Sequence, residues 1–250
     1  MSTAIITGAS SGLGLAYAKQ LVKKNDVVIL CARNEERLAK AKEELLLLAP
    51  DAQIETMSVD LSTFDGIDAL ASRVATTPDL EWMINNAGFG LGGQIYPDND
   101  VKRSTDMLVT HCVAVERLSY EAAKVMKANG RGYILNTSSV GAFFVGKGCV
   151  DYAATKAYVV SFTRGLARDL KGTGVRAVVL CPGFVRTGFH STPEMLVDKD
   201  LYGKIPNWLW MDADWVVKKA IHCAEHGSTV MLVPSIVYKI AVFFLRRLWL

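Results

Sequence analysis

The sequence predicts an α/β fold built on one doubly wound parallel sheet, and three observations support that prediction. Seven short apolar runs alternate with six longer helical patterns, as in a parallel sheet covered by helices on both faces. A cluster of glycines follows the first apolar run directly. Half of the 250 residues are hydrophobic, enough to bury a large core, so we expect one domain over residues 1–250.

The predicted elements follow one another in a regular order. The strands are Ala4–Thr7, Val27–Cys31, Ile54–Val59, Trp82–Asn85, Tyr133–Thr137, Arg176–Cys181 and Val230–Val233. The helices are Leu13–Lys24, Glu35–Leu48, Gly66–Thr76, Lys102–Asn129, Tyr152–Lys171 and Ala213–His226. Because connections between parallel strands are right-handed, this order gives a Rossmann-like sheet that binds ligands beyond the carboxyl ends of its strands.

Two segments depart from the alternation. Phe184–Asp212 is a long irregular insertion at the ligand end of the sheet, and we expect a substrate lid over residues 184–212. Ile236–Leu250 has the pattern of an amphipathic helix, too short and too charged for an ordinary transmembrane span. This tail helix could dock on the domain, pair with a second subunit or lie on a membrane surface.

Composition narrows the class of protein. The formal net charge of +3 gives no whole-molecule case for binding nucleic acid. The five cysteines are scattered without a C-x-x-C pair, so the sequence indicates neither a metal site nor a disulfide framework. Most of them lie in apolar runs, and no secretory signal precedes the first strand, so we expect a cytoplasmic protein.

The first predicted strand leads into a glycine-rich turn that is followed at once by a helical pattern. Glycines allow a tight turn and a close backbone approach, and a helix N-terminus offers free N–H groups to a pyrophosphate. The spacing is G-x-x-x-G-x-G, and such a turn is a weak signal until its strand–turn–helix context is added. The turn residues expected to bind a dinucleotide are Gly8, Ser10, Ser11, Gly12, Leu13 and Gly14.

Arg33 follows the second predicted strand. In dinucleotide-binding sheets an acidic residue near this position binds the ribose 2′-hydroxyl of NAD, whereas arginine accommodates the additional phosphate of NADP. A planar guanidinium suits a phosphate, so NADP(H) is favoured over NAD(H). Arg33 could instead be a solvated residue at a helix start, and Ser11 stands where a basic residue would strengthen the NADP prediction.

Tyr152 and Lys156 stand one helical turn apart where the fifth predicted helix opens. Residues i and i+4 share a helix face, so the phenol and the ammonium can approach the same point. A free tyrosine has a pKa of about 10, and a nearby ammonium lowers that pKa by stabilising the phenolate. The pair is suited to proton transfer near neutral pH, although Y-x-x-x-K alone is more often an exposed surface pair.

Five motifs occur in register along the chain. They are Thr7–Gly14, Asn85–Gly88, Asn136–Ser139, Tyr152–Lys156 and Pro182–Thr187, and Ser139 lies thirteen residues before Tyr152. Together they resemble the short-chain dehydrogenase/reductase family, and the resemblance runs from about Thr3 to Thr187. The last motif and the basic apolar tail are similar to a subgroup of broad or undefined specificity, related to hydroxysteroid and 3-ketoacyl-lipid reductases.

The resemblance implies a role for each matching residue. Tyr152 would be the general acid in reduction and the general base in oxidation, and Lys156 would lower its pKa and hold the nicotinamide ribose. Ser139, favoured over Ser138 by the spacing, would hydrogen-bond the substrate oxygen. The other implied cofactor-binding residues are Asp60, Leu61, Asn86, Ala87, Gly88, Pro182, Gly183, Val185 and Thr187. The aspartate and the threonine in that set could instead serve caps or turns.

One position departs from the family pattern. The family usually has a fourth catalytic residue, an asparagine that supports a water-mediated proton path to the lysine, and alignment places His111 there. Histidine also donates and accepts hydrogen bonds, and its charge can change near neutral pH. His111 could therefore keep, alter or weaken the relay as a catalytic residue, or it could be a buried structural histidine.

Apolar side chains near the motifs suggest a lipophilic substrate, although such residues are more often part of a core. The substrate candidates are Phe143, Phe144, Phe184 and Phe189, with Met195, Leu196, Trp208 and Trp210 in support. Family members commonly pair through the helices predicted at Lys102–Asn129 and Tyr152–Lys171, so the resemblance also implies a homodimer or homotetramer.

The predicted function is NADP(H)-dependent interconversion of a carbonyl and a secondary alcohol. The rival from another class is a nucleotide-binding sensor or scaffold protein that has lost useful catalysis, and His111 motivates it. A narrower choice lies between soluble small-carbonyl chemistry and lipid reduction by a peripheral enzyme that contacts a membrane through residues 236–250.

Overall fold

Parallel strands alternate with α-helices in the computed structural model, which describes residues 1–91, 100–144, 146, 148–191 and 203–245. The strands are β1 (Thr3–Thr7), β2 (Val27–Ala32), β3 (Gln53–Ser58), β4 (Leu80–Asn85), β5 (Gly132–Thr137), β6 (Val175–Leu180) and β7 (Met231–Leu232). The helices are α1 (Gly12–Leu21), α2 (Glu35–Leu48), α3 (Phe64–Ala75), α4 (Val101–Leu108), α5 (Ala114–Asn129), α6 (Val150–Asp169), α7 (Ala213–His226) and α8 (Ile236–Leu245). Met195, Leu196 and Tyr202 of the predicted lid lie outside the described residues.

The described strands form one parallel sheet in the order β3-β2-β1-β4-β5-β6-β7, which confirms the predicted doubly wound fold. Successive strands are added in one direction from β1 to β3 and in the other direction from β4 to β7. The strand order therefore reverses at β1, whose neighbours are β2 and β4. In such sheets the crevice beyond the carboxyl ends of the two strands at the reversal is the ligand position. The residues that follow β1 and β4 therefore belong to the candidate site.

The core lies on both faces of the sheet. Successive side chains of a strand point to opposite faces, so Ile5 and Ile6 of β1 enter two different hydrophobic clusters. Burial on both faces explains why these strands appear in the sequence as continuous apolar runs instead of alternating patterns. On β4, the Trp82 ring is buried and stacks on Tyr133 of β5 with 4.4 Å between ring centroids.

The prediction of one continuous helix over Lys102–Asn129 is wrong, because a π-helical turn interrupts it. Helix α4 is followed by a π-helical turn over Val109–Val113, and α5 begins only after that turn. The backbone N–H of Ala114 bonds to the carbonyl of Val109, one residue further back than in an α-helix. Turns of this kind shift the helix register by one residue and are frequent at functional sites. His111 lies within it.

The tail helix docks on the rest of the fold. Over Ile236–Leu245 the predicted helix is confirmed as α8, while residues 246–250 lie outside the described part. Tyr238 and Val242 are buried in the core cluster. One face of α8 therefore docks on the domain itself, which is one of the three settings that the sequence left open. None of the helices in the described ranges combines the length and the apolar character that a bilayer span requires.

We expect Trp82→Ala to lower the free energy of unfolding by about 3–5 kcal/mol, because it leaves a cavity in the core that covers one face of the sheet. The matched control is Trp208→Ala, since the Trp208 side chain is 69% exposed where Trp82 is 2% exposed. That control should change stability by no more than about 0.5 kcal/mol. Urea unfolding measures both, and equal losses would contradict the placement of Trp82 in the core.

Candidate active site

The loops after β1 and β4 approach each other closely at the reversal of the sheet. Gly8 has a φ of 66°, and a Cβ placed on it would lie 3.0 Å from the Ala87 Cα. The Thr7 hydroxyl accepts hydrogen bonds from the backbone N–H groups of Asn86 (2.9 Å) and Ala87 (3.0 Å). The Asn86 side chain in turn donates to the Thr7 carbonyl at 3.3 Å. The structure thus brings together the predicted residues of the first two motifs.

The glycine turn forms a cradle that side chains would fill. Gly12 has a φ of 56°, and a Cβ on it would lie 3.3 Å from the Thr187 Cβ. A Cβ on Gly14 would collide with the Gly8 carbonyl. Ser11 precedes α1 without making a side-chain capping bond to the first turn, so its hydroxyl leaves those N–H groups available. These features fit a pyrophosphate at the N-terminus of α1, with Thr187 opposite.

Four other predicted cofactor residues differ in the burial of their side chains. Leu61 and Val185 have buried side chains in the core, so they can reach a cofactor only through backbone groups. Leu13 is partly buried against the core, and Ser10 is half-buried in the turn. The residue-type patterns of the sequence do not distinguish backbone from side-chain contact.

Arg33 follows β2 directly and lies close to Asp60. Its guanidinium Nη1 is 4.0 Å from the Asp60 carboxylate, and both side chains are about half exposed. One Asp60 oxygen accepts bonds from the Ser62 backbone N–H (2.9 Å) and hydroxyl (2.8 Å). Burial raises the pKa of Asp60, but these bonds and the positive charges of Arg33 and Lys102 hold it below its ordinary value. Asp60 thus serves a turn and also orients an exposed guanidinium that could bind a phosphate.

Tyr152 and Lys156 share one face of α6, as their spacing predicts. The Lys156 Nζ lies 5.7 Å from the centroid of the Tyr152 ring. The lysine is 6% exposed, and Nζ donates to the Thr137 carbonyl at the end of β5 (3.1 Å). Burial disfavours the ammonium and lowers the pKa of Lys156 to about 8. The lysine is therefore still cationic at neutral pH but close to its point of titration.

The two serines after β5 face different surroundings. The Ser139 hydroxyl accepts a bond from the Gly141 N–H at 3.0 Å. A Cβ on Gly141 would lie 3.3 Å from that hydroxyl and 3.2 Å from the edge of the Tyr152 ring, so both border one space. Ser138 is buried and donates to the Lys156 carbonyl at 2.7 Å. The Ser139 hydroxyl therefore borders the Tyr152 ring, whereas the Ser138 hydroxyl is engaged by the backbone of α6.

His111 is 1% exposed, and both of its ring nitrogens have protein partners. Its Nε2 lies 3.1 Å from the Phe89 backbone N–H, which can only donate, so Nε2 is the acceptor. Its Nδ1 lies 3.0 Å from the Thr155 hydroxyl, whose own proton goes to the Tyr152 carbonyl at 2.9 Å. The imidazole is therefore neutral, with its proton on Nδ1.

The surroundings of His111 keep it neutral. Burial and the nearby Lys156 ammonium hold its pKa well below the ordinary value. A Cβ on Gly88 would lie 2.6 Å from Nε2, so the loop after β4 approaches the ring because residue 88 is glycine. The ring also packs edge-on against Tyr152, with 6.0 Å between centroids. Of the two roles that the sequence left open, this geometry favours the buried structural histidine.

The four substrate candidates separate in the structure. The Phe189 ring lies 6.3 Å from the Tyr152 ring, whereas Phe184 packs on Trp210 at 5.3 Å. Phe143 is partly buried against the core, and Phe144 is exposed. Phe189 is therefore the candidate whose position suits contact with a substrate held at Tyr152.

Four side chains that the sequence argument did not select also shape the site. Thr7 and Thr155 lie inside two of the five motifs. The sequence could have indicated them, because each is a hydroxyl residue next to the glycine turn or next to Lys156. Phe89 binds His111 through its backbone and receives the Arg103 guanidinium 4.5 Å from its ring centroid. Tyr238 of α8 was not indicated by any motif.

Tyr238 joins the tail helix to the wall of the site. A Cβ on Gly183 would collide with the Tyr238 ring, so this predicted cofactor residue also permits the docking of α8. The Tyr238 hydroxyl accepts from the Phe184 N–H at 3.1 Å and donates to the Leu209 carbonyl at 2.9 Å. The Pro182 carbonyl accepts a hydrogen bond from the Val140 backbone N–H at 2.9 Å. The segment after β6 is thereby held on both sides.

Comparison with known proteins shows what this chain is similar to. The short chain dehydrogenase family model matches residues 2–194. A 3alpha-hydroxysteroid dehydrogenase of Mediterraneibacter gnavus is 32% identical over 206 residues, covering 81% of this chain and 81% of the relative. A 1-deoxy-11-beta-hydroxypentalenate dehydrogenase of Streptomyces exfoliatus is 32% identical over 187 residues, covering 74% and 67%.

Solved structures have the same fold. A short-chain dehydrogenase from Sphingobium yanoikuyae in complex with NADPH has a TM-score of 0.86 at 24% identity, covering 100% of this chain and 94% of that one. A Beutenbergia cavernae protein with bound NADP at low occupancy has a TM-score of 0.81 at 26% identity, covering 93% and 94%.

We expect Gly88→Ala to cost about 1–3 kcal/mol of unfolding free energy, because the new methyl group overlaps the His111 ring. In a His111→Asn background the same change should cost less, since the shorter side chain vacates that space. Urea unfolding of the four proteins gives the coupling between the two positions. Costs that add to within about 0.5 kcal/mol would show that the two side chains do not meet.

Proposed function

The chain belongs to the short chain dehydrogenase family and is an NAD(P)-dependent oxidoreductase, and we propose that it uses NADP(H) to interconvert a lipophilic carbonyl and its secondary alcohol. The observation that supports this proposal best is the position of Ser139, Tyr152 and Lys156. They lie together beyond the carboxyl end of β5, beside the crevice that the glycine turn opens.

The crevice residues fit a dinucleotide. The glycine turn and the N-terminus of α1 would hold the pyrophosphate, and Arg33 would hold the 2′-phosphate of NADP. Lys156 would hold the ribose at the nicotinamide end, where its buried ammonium already faces the crevice end of β5. When bound, the nicotinamide supplies the hydride in reduction and accepts it in oxidation.

The chain's own residues move the proton. In reduction Tyr152 donates its hydroxyl proton to the substrate oxygen, and in oxidation the phenolate takes it back. The Ser139 hydroxyl oxygen accepts a hydrogen bond from the Gly141 N–H. Its own proton can then be donated to the substrate oxygen as charge develops there. The Lys156 ammonium lies beside the Tyr152 ring and favours the phenolate electrostatically.

We assign His111 a positioning role. Its two hydrogen bonds fasten the loop at Phe89 to α6 at Thr155, directly behind Tyr152. Because the imidazole is neutral and both nitrogens are engaged, it holds the tyrosine and the loop in place without exchanging protons itself.

The substrate class rests on two supports. Phe189 lies beside Tyr152 and supplies an apolar surface where the substrate would be held. The Mediterraneibacter gnavus relative acts, by its name, on a hydroxysteroid. A lipophilic substrate of that kind partitions into membranes, so we also propose that the enzyme works at a membrane surface.

The exposed face formed by α5 and α6 supports a homodimer or homotetramer. The Tyr158 ring stacks on Phe162, and Tyr120 packs edge-on against the same Phe162 ring, leaving an aromatic patch on the surface. The Tyr158 hydroxyl is held by Glu116 at 3.0 Å. Exposed aromatic clusters are enriched at protein interfaces, and light scattering measures the assembly directly.

We expect Tyr152→Phe to reduce carbonyl turnover at least about a hundredfold while leaving NADPH binding nearly intact, because only the proton donor is lost. The matched control is Tyr158→Phe on the same helix, whose hydroxyl bonds at the surface to Glu116. NADPH oxidation with a panel of lipophilic ketones measures turnover, and fluorescence titration measures binding. Appreciable activity in Tyr152→Phe defeats the assignment, whereas a wild type that binds NADPH but consumes none favours the sensor.

We expect Arg33→Ala to shrink the preference for NADPH over NADH by roughly tenfold, which corresponds to one charge-assisted contact to the 2′-phosphate. Arg131→Ala is the control, because that arginine is exposed at the opposite end of the sheet, where β5 begins. The ratio of kcat/KM for the two cofactors is the measurement. An unchanged ratio would rule out the phosphate role of Arg33.

A further inference from the structure

Helix α8 has apolar side chains on both of its faces. The inner face docks on the domain through Tyr238 and Val242. On the other side Ile236, Ile240 and Phe244 are 67%, 54% and 59% exposed, and residues four apart lie on one stripe of a helix. We name this stripe the outer tail face, which consists of Ile236, Val237, Ile240 and Phe244. A helix docked on a soluble domain ordinarily turns polar side chains outward, so these residues indicate an apolar neighbour.

The charge of the chain points to the nature of that neighbour. Residues 236–250 contain Lys239, Arg246 and Arg247 and no acidic residue. The chain has 28 lysines and arginines and 25 aspartates and glutamates, so the rest of it balances at 25 of each. The entire net charge of +3 therefore belongs to the segment that carries the outer tail face.

We propose that the outer tail face binds the surface of a bilayer that contains anionic lipids. An apolar stripe in a segment that also carries lysine and arginine inserts into the boundary between headgroups and acyl chains, where such cations meet lipid phosphates. A second copy of this chain fits less well, because a symmetric contact through this face would bring two positively charged segments together.

The position of α8 connects this surface to the catalytic cleft. Tyr238 on its inner face packs against Gly183 and bonds to the Phe184 backbone, just beyond β6. The helix also contacts the 3₁₀ turn Val140–Phe143, which follows Ser139 directly. A lipophilic substrate could therefore pass from the bilayer to Tyr152 along the outside of α8. Only this last step rests on the proposed function; the membrane contact stands on the helix itself.

The test is flotation of the full-length protein with phosphatidylcholine vesicles that contain or lack phosphatidylserine. We expect the wild type to float with the anionic vesicles and to be released by high salt, because salt screens the headgroup attraction. The double variant Ile240→Ser/Phe244→Ser should lose vesicle affinity by roughly tenfold or more, since two large apolar groups no longer leave water. Its thermal unfolding should match the wild type, because both side chains are exposed.

The matched control is Leu47→Ser/Leu48→Ser, which removes two exposed leucines from the far end of α2 and should leave flotation unchanged. Equal flotation of the wild type and the Ile240/Phe244 variant would overturn the proposal. So would a wild type that ignores vesicles but self-associates in light scattering through this face. A wild type that floats yet reduces no carbonyl would refute the proposed function and leave the membrane contact standing.

Discussion

A buried hydroxyl, that of Thr7, fastens the loop after β4 to the end of β1 by accepting hydrogen bonds from two consecutive backbone amides. These amides follow a strand that is buried on both faces. Each of them, left without a hydrogen-bond partner, would lower the stability of the fold by about 1–3 kcal/mol. The bond is possible because Gly8, with its left-handed backbone, lets Ala87 approach within van der Waals contact. The crevice at the reversal of the sheet therefore has defined walls, and the predicted cofactor-binding residues on both loops depend on this bond.

The end of the crevice that contains Tyr152 depends on the same requirement that buried polar groups find partners. Lys156 is held by the Thr137 carbonyl, and its own carbonyl receives the Ser138 hydroxyl, so β5 and α6 are joined behind Tyr152. His111 adds a second link, from the loop after β4 through Thr155 to the Tyr152 backbone. The cost of burying an ammonium here appears as the lowered pKa of Lys156, about 8. The polar network thus positions Tyr152, and its burial lowers the pKa of the neighbouring Lys156.

The outer wall of the cleft is built differently, from a helix with two apolar faces. Tyr238 supplies a ring to Gly183 and a hydroxyl to two backbone groups, so α8 is attached to the segment that follows β6. The opposite face of α8 remains exposed and apolar. The same helix therefore forms part of the site wall and part of the outer surface, which places any partner of that surface next to the cleft.

The sequence alone determined the sheet, the glycine turn and the shared face of Tyr152 and Lys156, because hydrophobic period, turn residues and helical spacing are local properties. Through its resemblance to the short-chain dehydrogenase family it also predicted Ser139 in preference to Ser138, since the family spacing to Tyr152 distinguishes the two. It did not locate the π-helical turn, because neither helix propensity nor periodicity marks where one residue is inserted.

Only the tertiary structure decided the protonation of His111, the role of Thr7 and the attachment of Tyr238. Each depends on partners far apart in sequence, 80 residues for Thr7 and Ala87 and 44 for His111 and Thr155. A buried group's charge and hydrogen bonds are set by what the fold places beside it, which no local pattern encodes.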